Sequence, residues 1–104
     1  MNQLRRDVFQ AIADPTRRDI IDLLAGRSLN LNAIAENFNI SRPAVSKHIR
    51  ILVECGLVVI AEQGRERFCR ADVRKLQEVN AWTERYRALW NEKLDALGDF
   101  LDQQ

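Results

Sequence analysis

The sequence predicts a mainly α-helical fold with one small β-hairpin, in the order of four helices, two strands and a long final helix. Apolar residues recur at three- and four-residue intervals over most of the chain, which is typical of amphipathic helices. A β-branched run at residues 58–60 is followed by a glycine and then by alternating residues, which indicates a hairpin. Residues 72–102 contain no proline, so one helix can continue almost to the end.

Length and composition predict a single domain over residues 1–104. A chain of 104 residues with 46% hydrophobic composition is long enough for one modest core and too short for two. No stretch approaches the roughly 18 apolar residues of a membrane span, and the N-terminus lacks the apolar core of a signal peptide. We therefore expect a cytoplasmic protein without a membrane partner.

The first two predicted helices span residues 4–13 and 15–25. Asp14 and Pro15 separate them as an N-cap and a first-turn proline, and Gly26 closes the second. Each helix carries an apolar stripe that we expect to pack in the core. The stripes consist of Leu4, Val8, Phe9 and Ile12 in the first helix and of Ile20, Ile21, Leu23 and Leu24 in the second.

The third and fourth helices lie between residues 30 and 57, and a turn of about three residues, 39–41, joins them. Ser41 is a good N-cap for the fourth helix, and Pro43 falls where a missing N–H costs little. Gly56 marks its end as a residue able to take positive φ, and Leu57 can fold back onto the last turn. This layout is a helix-turn-helix, whose second helix contacts bases in DNA.

The outward faces of the fourth helix suit the major groove. If Val45, Ile49, Leu52 and Val53 face the core, the other positions carry short or cationic side chains. Short residues let the backbone approach DNA, while the longer ones reach base edges or phosphates. The predicted contacts are Ser41, Arg42, Ala44, Ser46, Lys47, His48 and Arg50. The alternative is an ordinary amphipathic helix with a solvated basic face.

The hairpin directly after this helix has arginines at its tip, Arg65 and Arg67. Placed there, a two-stranded ribbon is a wing, and its guanidinium groups would lie beside DNA phosphates or the minor groove. Charge is distributed in agreement with this. The net charge is only +1, but residues 41–75 have eight basic and four acidic residues, whereas residues 76–104 have three and six. The predicted architecture is therefore a winged helix-turn-helix.

The final predicted helix, residues 72–102, begins at the N-cap Asp72 and would be about 45 Å long. That length exceeds what a compact domain can cover, so we expect its apolar stripe to pack against a second copy. A twofold dimer would place the fourth helix of each copy in successive major grooves about 34 Å apart and would bind an inverted repeat. Packing within one chain is the alternative. The predicted dimer contacts are Leu4, Val8, Val79, Trp82, Tyr86, Leu89, Trp90 and Leu97.

Three segments resemble the ArsR/SmtB family of dimeric bacterial winged helix-turn-helix repressors. They are DPTRRDIIDLL at residues 14–24, LNAIAENFNISRPAVSKHIRILVECGLV at 31–58 and GRERF at 64–68. The pattern Ser-x-x-x-Val-Ser-x-His-Ile, beginning at Ser41, is specific to the family, and the resemblance covers roughly residues 4–75. It implies the same element order, DNA contacts from the fourth helix between Ser41 and His48, and wing contacts from Arg65 and Arg67.

Many members of this family sense metals, but this sequence lacks their ligands. A thiolate site on the third helix would need a pair such as Cys-x-Cys, and residues 29–32 are Leu, Asn, Leu and Asn. A site between the final helices would need histidines, and none follows His48. We therefore expect no metal and no cofactor. An unknown small-molecule inducer near Trp82, Tyr86 and Trp90 is a weaker hypothesis than a dimer core there.

Cys55 and Cys69 are the only thiols, and we expect both to be buried and inert. They would form a redox switch only if the hairpin brings them together. No nucleophile with a base, carboxylate pair or phosphate-binding glycine loop indicates an enzyme. A winged-helix module for protein assembly is the alternative function. The basic face between Ser41 and Arg50 favours a DNA-binding homodimeric regulator instead, and we expect it to act as a repressor or autorepressor.

Overall fold

The structure, a computed structural model, describes residues 6–103 and confirms a mainly helical fold with a β-hairpin. The strands form one antiparallel sheet in the order β1-β3-β2. The helices are α1 (Val8–Ile12), α2 (Pro15–Leu24), α3 (Leu31–Ala35), α4 (Arg42–Glu54) and α5 (Gln77–Asp102). The strands are β1 (Leu29–Asn30), β2 (Val58–Gln63) and β3 (Glu66–Ala71), and a 3-10 helix, Val73–Leu76, precedes α5.

Strand β1 is an element that the sequence did not predict. Leu29 pairs with Cys69 and Asn30 with Phe68, so β1 adds a third strand to the hairpin of β2 and β3. Two residues are too few to show an alternating pattern, and the strand exists because β3 offers a free edge. The wing is thereby attached to the start of α3.

The connection between α3 and α4 is longer than the predicted three-residue turn. Helix α3 ends at Ala35, and residues 36–41 join it to α4. After Ala35 the chain tightens, because Asn37 N–H donates to the carbonyl of Ile34 and Phe38 N–H to that of Ala35. Phe38 therefore belongs to the turn, although its spacing suggested helix.

Helix α4 begins and ends where its caps predict. The Ser41 hydroxyl accepts from the N–H of Ala44 at 3.2 Å. At the other end Gly56 has φ +80°, and Leu57 N–H donates to the Leu52 carbonyl at 2.9 Å. Gly56 N–H donates to the Val53 carbonyl at 3.1 Å, which completes a Schellman motif.

The core lies between α1, α2, α3, α4 and one face of the sheet. Its fully buried side chains are mostly aliphatic, and burying each stabilises the fold by about 1.5–3 kcal/mol. The largest are Val8, Ile20, Leu24, Ile34, Val45, Leu52 and Leu57.

Helix α5 extends away from this core. Asp72 caps the 3-10 helix rather than α5 itself, since its carboxylate accepts from Arg74 N–H and the α-helix starts only at Gln77. The radius of gyration is 18.8 Å and the longest extent is 66 Å, whereas a compact chain of this length has a radius of about 13 Å. Within residues 6–103, no helix is both long and apolar enough to cross a membrane.

Candidate nucleic-acid interface

The face of α4 opposite the core carries exposed cations and short side chains. Arg42, Lys47 and Arg50 are exposed, while Ala44 and Ser46 are half-buried between them. Three of the predicted core residues of α4, namely Val45, Ile49 and Leu52, are buried as expected. The fourth, Val53, is exposed because it lies at the edge of the stripe, over the last turn of the helix.

The wing presents its arginines around a tight turn. Gln63 pairs with Glu66, so Gly64 and Arg65 form a two-residue hairpin turn, and Gly64 takes φ +64° as its first central residue. Arg65 therefore lies at the tip and is exposed. Arg67 follows on β3, and its Nε lies 4.0 Å from Glu62 Oε1, an exposed ion pair that solvent screens.

Helix α4 and the wing meet around a depression of about 300 Å³. Its lining includes Arg42 from the start of α4, Arg65 and Arg67 from the wing, and Asn30 and Asn32 from β1 and α3. The Asn30 amide also donates to Glu66 Oε1 at 3.3 Å, which fixes β1 to the wing. Sequence reasoning missed the two asparagines because their position depends on the unpredicted pairing of β1.

Most cations on this surface have no acidic partner. Among residues 6–103, the ion pairs do not include Arg42, Lys47, Arg50 or Arg65. No acidic side chain among the described residues therefore neutralises their positive charge in an ion pair. A surface of this kind attracts a polyanion, and the attraction weakens as salt rises.

His48 differs from its neighbours because it is half-buried and contacts α2. Its Nδ1 lies 3.4 Å from Nη1 of Arg17. Arg17 is only 7% exposed, and it donates from Nε to the Ala11 carbonyl at 2.7 Å and from Nη2 to the Gln10 carbonyl at 2.9 Å. We had not predicted this arginine. Its spacing to the buried Ile20, Ile21 and Leu24 on α2 is the signal that could have indicated its burial.

Asp14 holds the start of α2 beside this contact. Its carboxylate accepts from the N–H of Thr16 at 2.8 Å and of Arg17 at 3.1 Å. Desolvation raises the pKa of Asp14, but the backbone N–H of Arg17, the charge of His48 and the N–H of Thr16 together outweigh it and lower that pKa below its ordinary value. The carboxylate therefore remains charged and keeps its cap.

The predicted dimer contacts divide into two groups. Five form an exposed apolar stripe on α5: Trp82, Tyr86, Leu89, Trp90 and Leu97. Val79 is half-buried against the core, and Val8 is 1% exposed inside the core of its own chain. This corrects the prediction of Val8 as a dimer contact, because its side chain is already covered within one protomer. Leu4 lies outside the described residues.

The remaining candidates concern thiols and metals. Cys55 and Cys69 are both buried and unpaired, and burial raises the pKa of each thiol. Cys55 Sγ lies 3.7 Å from Gln10 Oε1, its hydrogen-bond acceptor. In the described part of the chain, no three histidine, cysteine or acidic side chains lie close enough together to hold a metal ion.

Comparison with known proteins identifies the family. A family model described as "Bacterial regulatory protein, arsR family" matches residues 14–59. The chain is 40% identical over 76 residues to the transcriptional repressor SdpR of Bacillus subtilis, an alignment covering 73% of this chain and 84% of that protein.

Solved structures agree with this assignment. An ArsR-like transcriptional regulator from Rhodococcus sp. RHA1 has a TM-score of 0.73 at 32% identity and covers 93% of this chain and 89% of its own. The solution structure of a homodimeric winged helix-turn-helix DNA-binding domain from Mycobacterium bovis has a TM-score of 0.62 at 26% identity, over 77% of each chain. The protein is therefore a member of the ArsR family of bacterial transcriptional regulators.

Proposed function

We propose that this protein is a homodimeric repressor that binds an inverted-repeat operator, with α4 of each protomer in a major groove. One observation carries the proposal: Arg42 of α4 and Arg65 at the wing tip, neither of them in an ion pair among the described residues, line one depression together with Arg67 and Glu66. The first turns of α4 carry Ala44 and Ser46 between these cations, so the helix backbone can approach the base edges closely.

The two parts of this surface have different roles. In the wing, Arg65 and Arg67 contact phosphates, as does Arg42 across the depression, and these contacts fix the register of the protein on DNA. On α4, Ser46, Lys47 and His48 lie on the first three turns and contact base edges. Arg50 lies one turn beyond Ser46 and adds a further backbone contact.

Dimerisation supplies the second half-site. The stripe on α5 is exposed in one chain, and a long helix with an apolar face is covered when it packs against its twin. The homodimeric state of the Mycobacterium bovis domain and the name of the Bacillus subtilis repressor support this assembly and this mode of action. The groove along Trp82, Tyr86 and Trp90 lies on the same face, so we assign it to the dimer core rather than to an inducer.

Fluorescence anisotropy with the protein's own promoter region tests the proposal. Across a salt series, the wild type should bind that duplex more tightly than a random one, and its affinity should fall steeply as salt rises. Arg50→Ala should weaken binding to both duplexes and reduce the salt slope by about 0.9 for the lost phosphate contact. Arg85→Ala, which removes the same charge from the exposed polar face of α5, is the matched control and should bind like the wild type.

Two results would oppose this function. Failure to bind any duplex at low salt would favour the protein-assembly module instead. Equal losses in Arg50→Ala and Arg85→Ala would show that only the overall charge matters, and that α4 is not the surface in contact with DNA.

A further inference from the structure

We propose that Arg17 is a positioning residue: its guanidinium donates to Nδ1 of the neutral His48 ring, so that Nε2 carries the proton and α4 presents an N–H donor to DNA. The proposal rests on the proposed function for its DNA step. The contact between the Arg17 guanidinium and the His48 imidazole does not depend on DNA.

Two hydrogen bonds to backbone carbonyls, besides the contact with His48, fix the guanidinium of Arg17 in place. Nε donates to the Ala11 carbonyl at 2.7 Å and Nη2 to the Gln10 carbonyl at 2.9 Å, at the end of α1. Two bonds to a planar group leave it little freedom, and the third nitrogen, Nη1, is directed at His48 Nδ1 at 3.4 Å. Arg17 itself is buried, at 7% exposed, and its contact with the half-buried His48 is partly buried.

This contact determines which ring nitrogen carries the proton of a neutral imidazole. An arginine side chain only donates hydrogen bonds, so Nδ1 must accept, and the proton of the neutral ring is then on Nε2. The opposite tautomer would set an N–H of His48 against an N–H of Arg17. A charged ring, too, has a proton on Nε2. In either state Nε2 is a donor.

A donor at this position restricts what His48 can recognise. An Nε2–H pairs with a phosphate oxygen, with N7 of guanine or adenine, with O6 of guanine or with O4 of thymine, and it does not pair with the amino groups of cytosine or adenine. The conformation of α1 and α2 thus determines a hydrogen-bonding property of α4.

Nitrogen NMR tests the tautomer directly, because His48 is the only histidine in the chain. In a tag-free sample at about pH 8, where imidazole is ordinarily neutral, Nδ1 should resonate as the unprotonated nitrogen and Nε2 as the protonated one. Arg17→Lys keeps a cation but removes the planar guanidinium. In this variant the His48 ring should shift towards a mixture of both tautomers. A wild-type ring that averages both tautomers, or that is protonated on Nδ1 alone, overturns the proposal. If the variant does not fold, the wild-type spectrum alone decides.

A pair of isosteric variants tests the use of the donor. The amide nitrogen of glutamine can take the place of Nε2, whereas that of asparagine reaches only the place of Nδ1. His48→Gln should bind the promoter duplex within a few-fold of the wild type, and His48→Asn should lose about tenfold or more, as expected for one hydrogen bond to a charged acceptor. Equal affinities of the two variants overturn the donor role. If the wild type binds no duplex, the donor role fails together with the proposed function, and the NMR result still decides the hold of Arg17 on the ring.

Discussion

Replacing Trp90 with alanine should separate the dimer without unfolding the protomer. Trp90 is 68% exposed in one chain, so with about 150–250 Å² for an aromatic side chain roughly 100–170 Å² remain to be covered. At about 25 cal/mol per Å² this area is worth roughly 2.5–4 kcal/mol in each protomer. These figures are upper limits because burial in the dimer is incomplete and association has its own cost. We expect a loss of about 3 kcal/mol in dimerisation free energy, which is roughly a hundredfold rise in Kd.

Sedimentation equilibrium over a range of protein concentrations measures this Kd. Glu92→Ala is the matched control, since it truncates an exposed side chain on the opposite face of the same helix. Far-UV circular dichroism should show the same helix content in both variants when they are dimeric. The reasoning is refuted if Trp90→Ala dimerises as tightly as Glu92→Ala, or if the wild type itself is monomeric at micromolar concentration.

Three further predictions concern stability and protonation. Gly56→Ala should lower the free energy of unfolding by about 1–2 kcal/mol, because the φ of Gly56 is +80°. Gly98→Ala should raise that free energy by about 0.5–1 kcal/mol, because Gly98 lies inside α5 with no heavy atom near the added carbon. Chemical denaturation measures both changes, and changes of the same sign would contradict the argument. The Arg74 guanidinium lowers the pKa of Asp72 to about 2. The charged Asp72 carboxylate therefore contributes to stability above the ordinary aspartate range, and this contribution is lost as pH falls through about 2. In an NMR titration, Arg74→Ala should return the pKa of Asp72 towards 3.8. The two buried cysteine thiols, with raised pKa values, should resist alkylation in the native protein and react once it is unfolded, and fast native alkylation would favour a redox role.

The elements that the sequence predicted well are those with local signals. Helix α4 begins after Ser41 and ends before Gly56 because a hydroxyl cap and a positive-φ glycine act within one turn. The hairpin turn at Gly64 is local in the same way. The polar surface of α4 followed from helical spacing once the buried positions were known.

The features that the sequence did not predict depend on contacts between distant segments. Strand β1 exists only because β3 lies beside it, some forty residues later. The burial of Arg17 was not predicted, because a charged side chain is ordinarily exposed, but the end of α1 offers it two carbonyl groups in the interior. Val8 fitted the first helix's apolar stripe equally well as core or as dimer surface, and only the packing of α1 decided between them.

Because α5 projects from the core, a small change in its angle displaces its far end by a large distance. Its 26 residues span about 39 Å, so in a dimer held along this helix a change of about 5° in crossing angle displaces the far end by roughly 3.4 Å, one base-pair step of DNA. In the dimer that we propose, a small repacking of the α5 stripe would therefore move the two α4 helices out of register with their half-sites. Affinity for the proposed operator would then fall without any change in the residues that we propose to contact DNA.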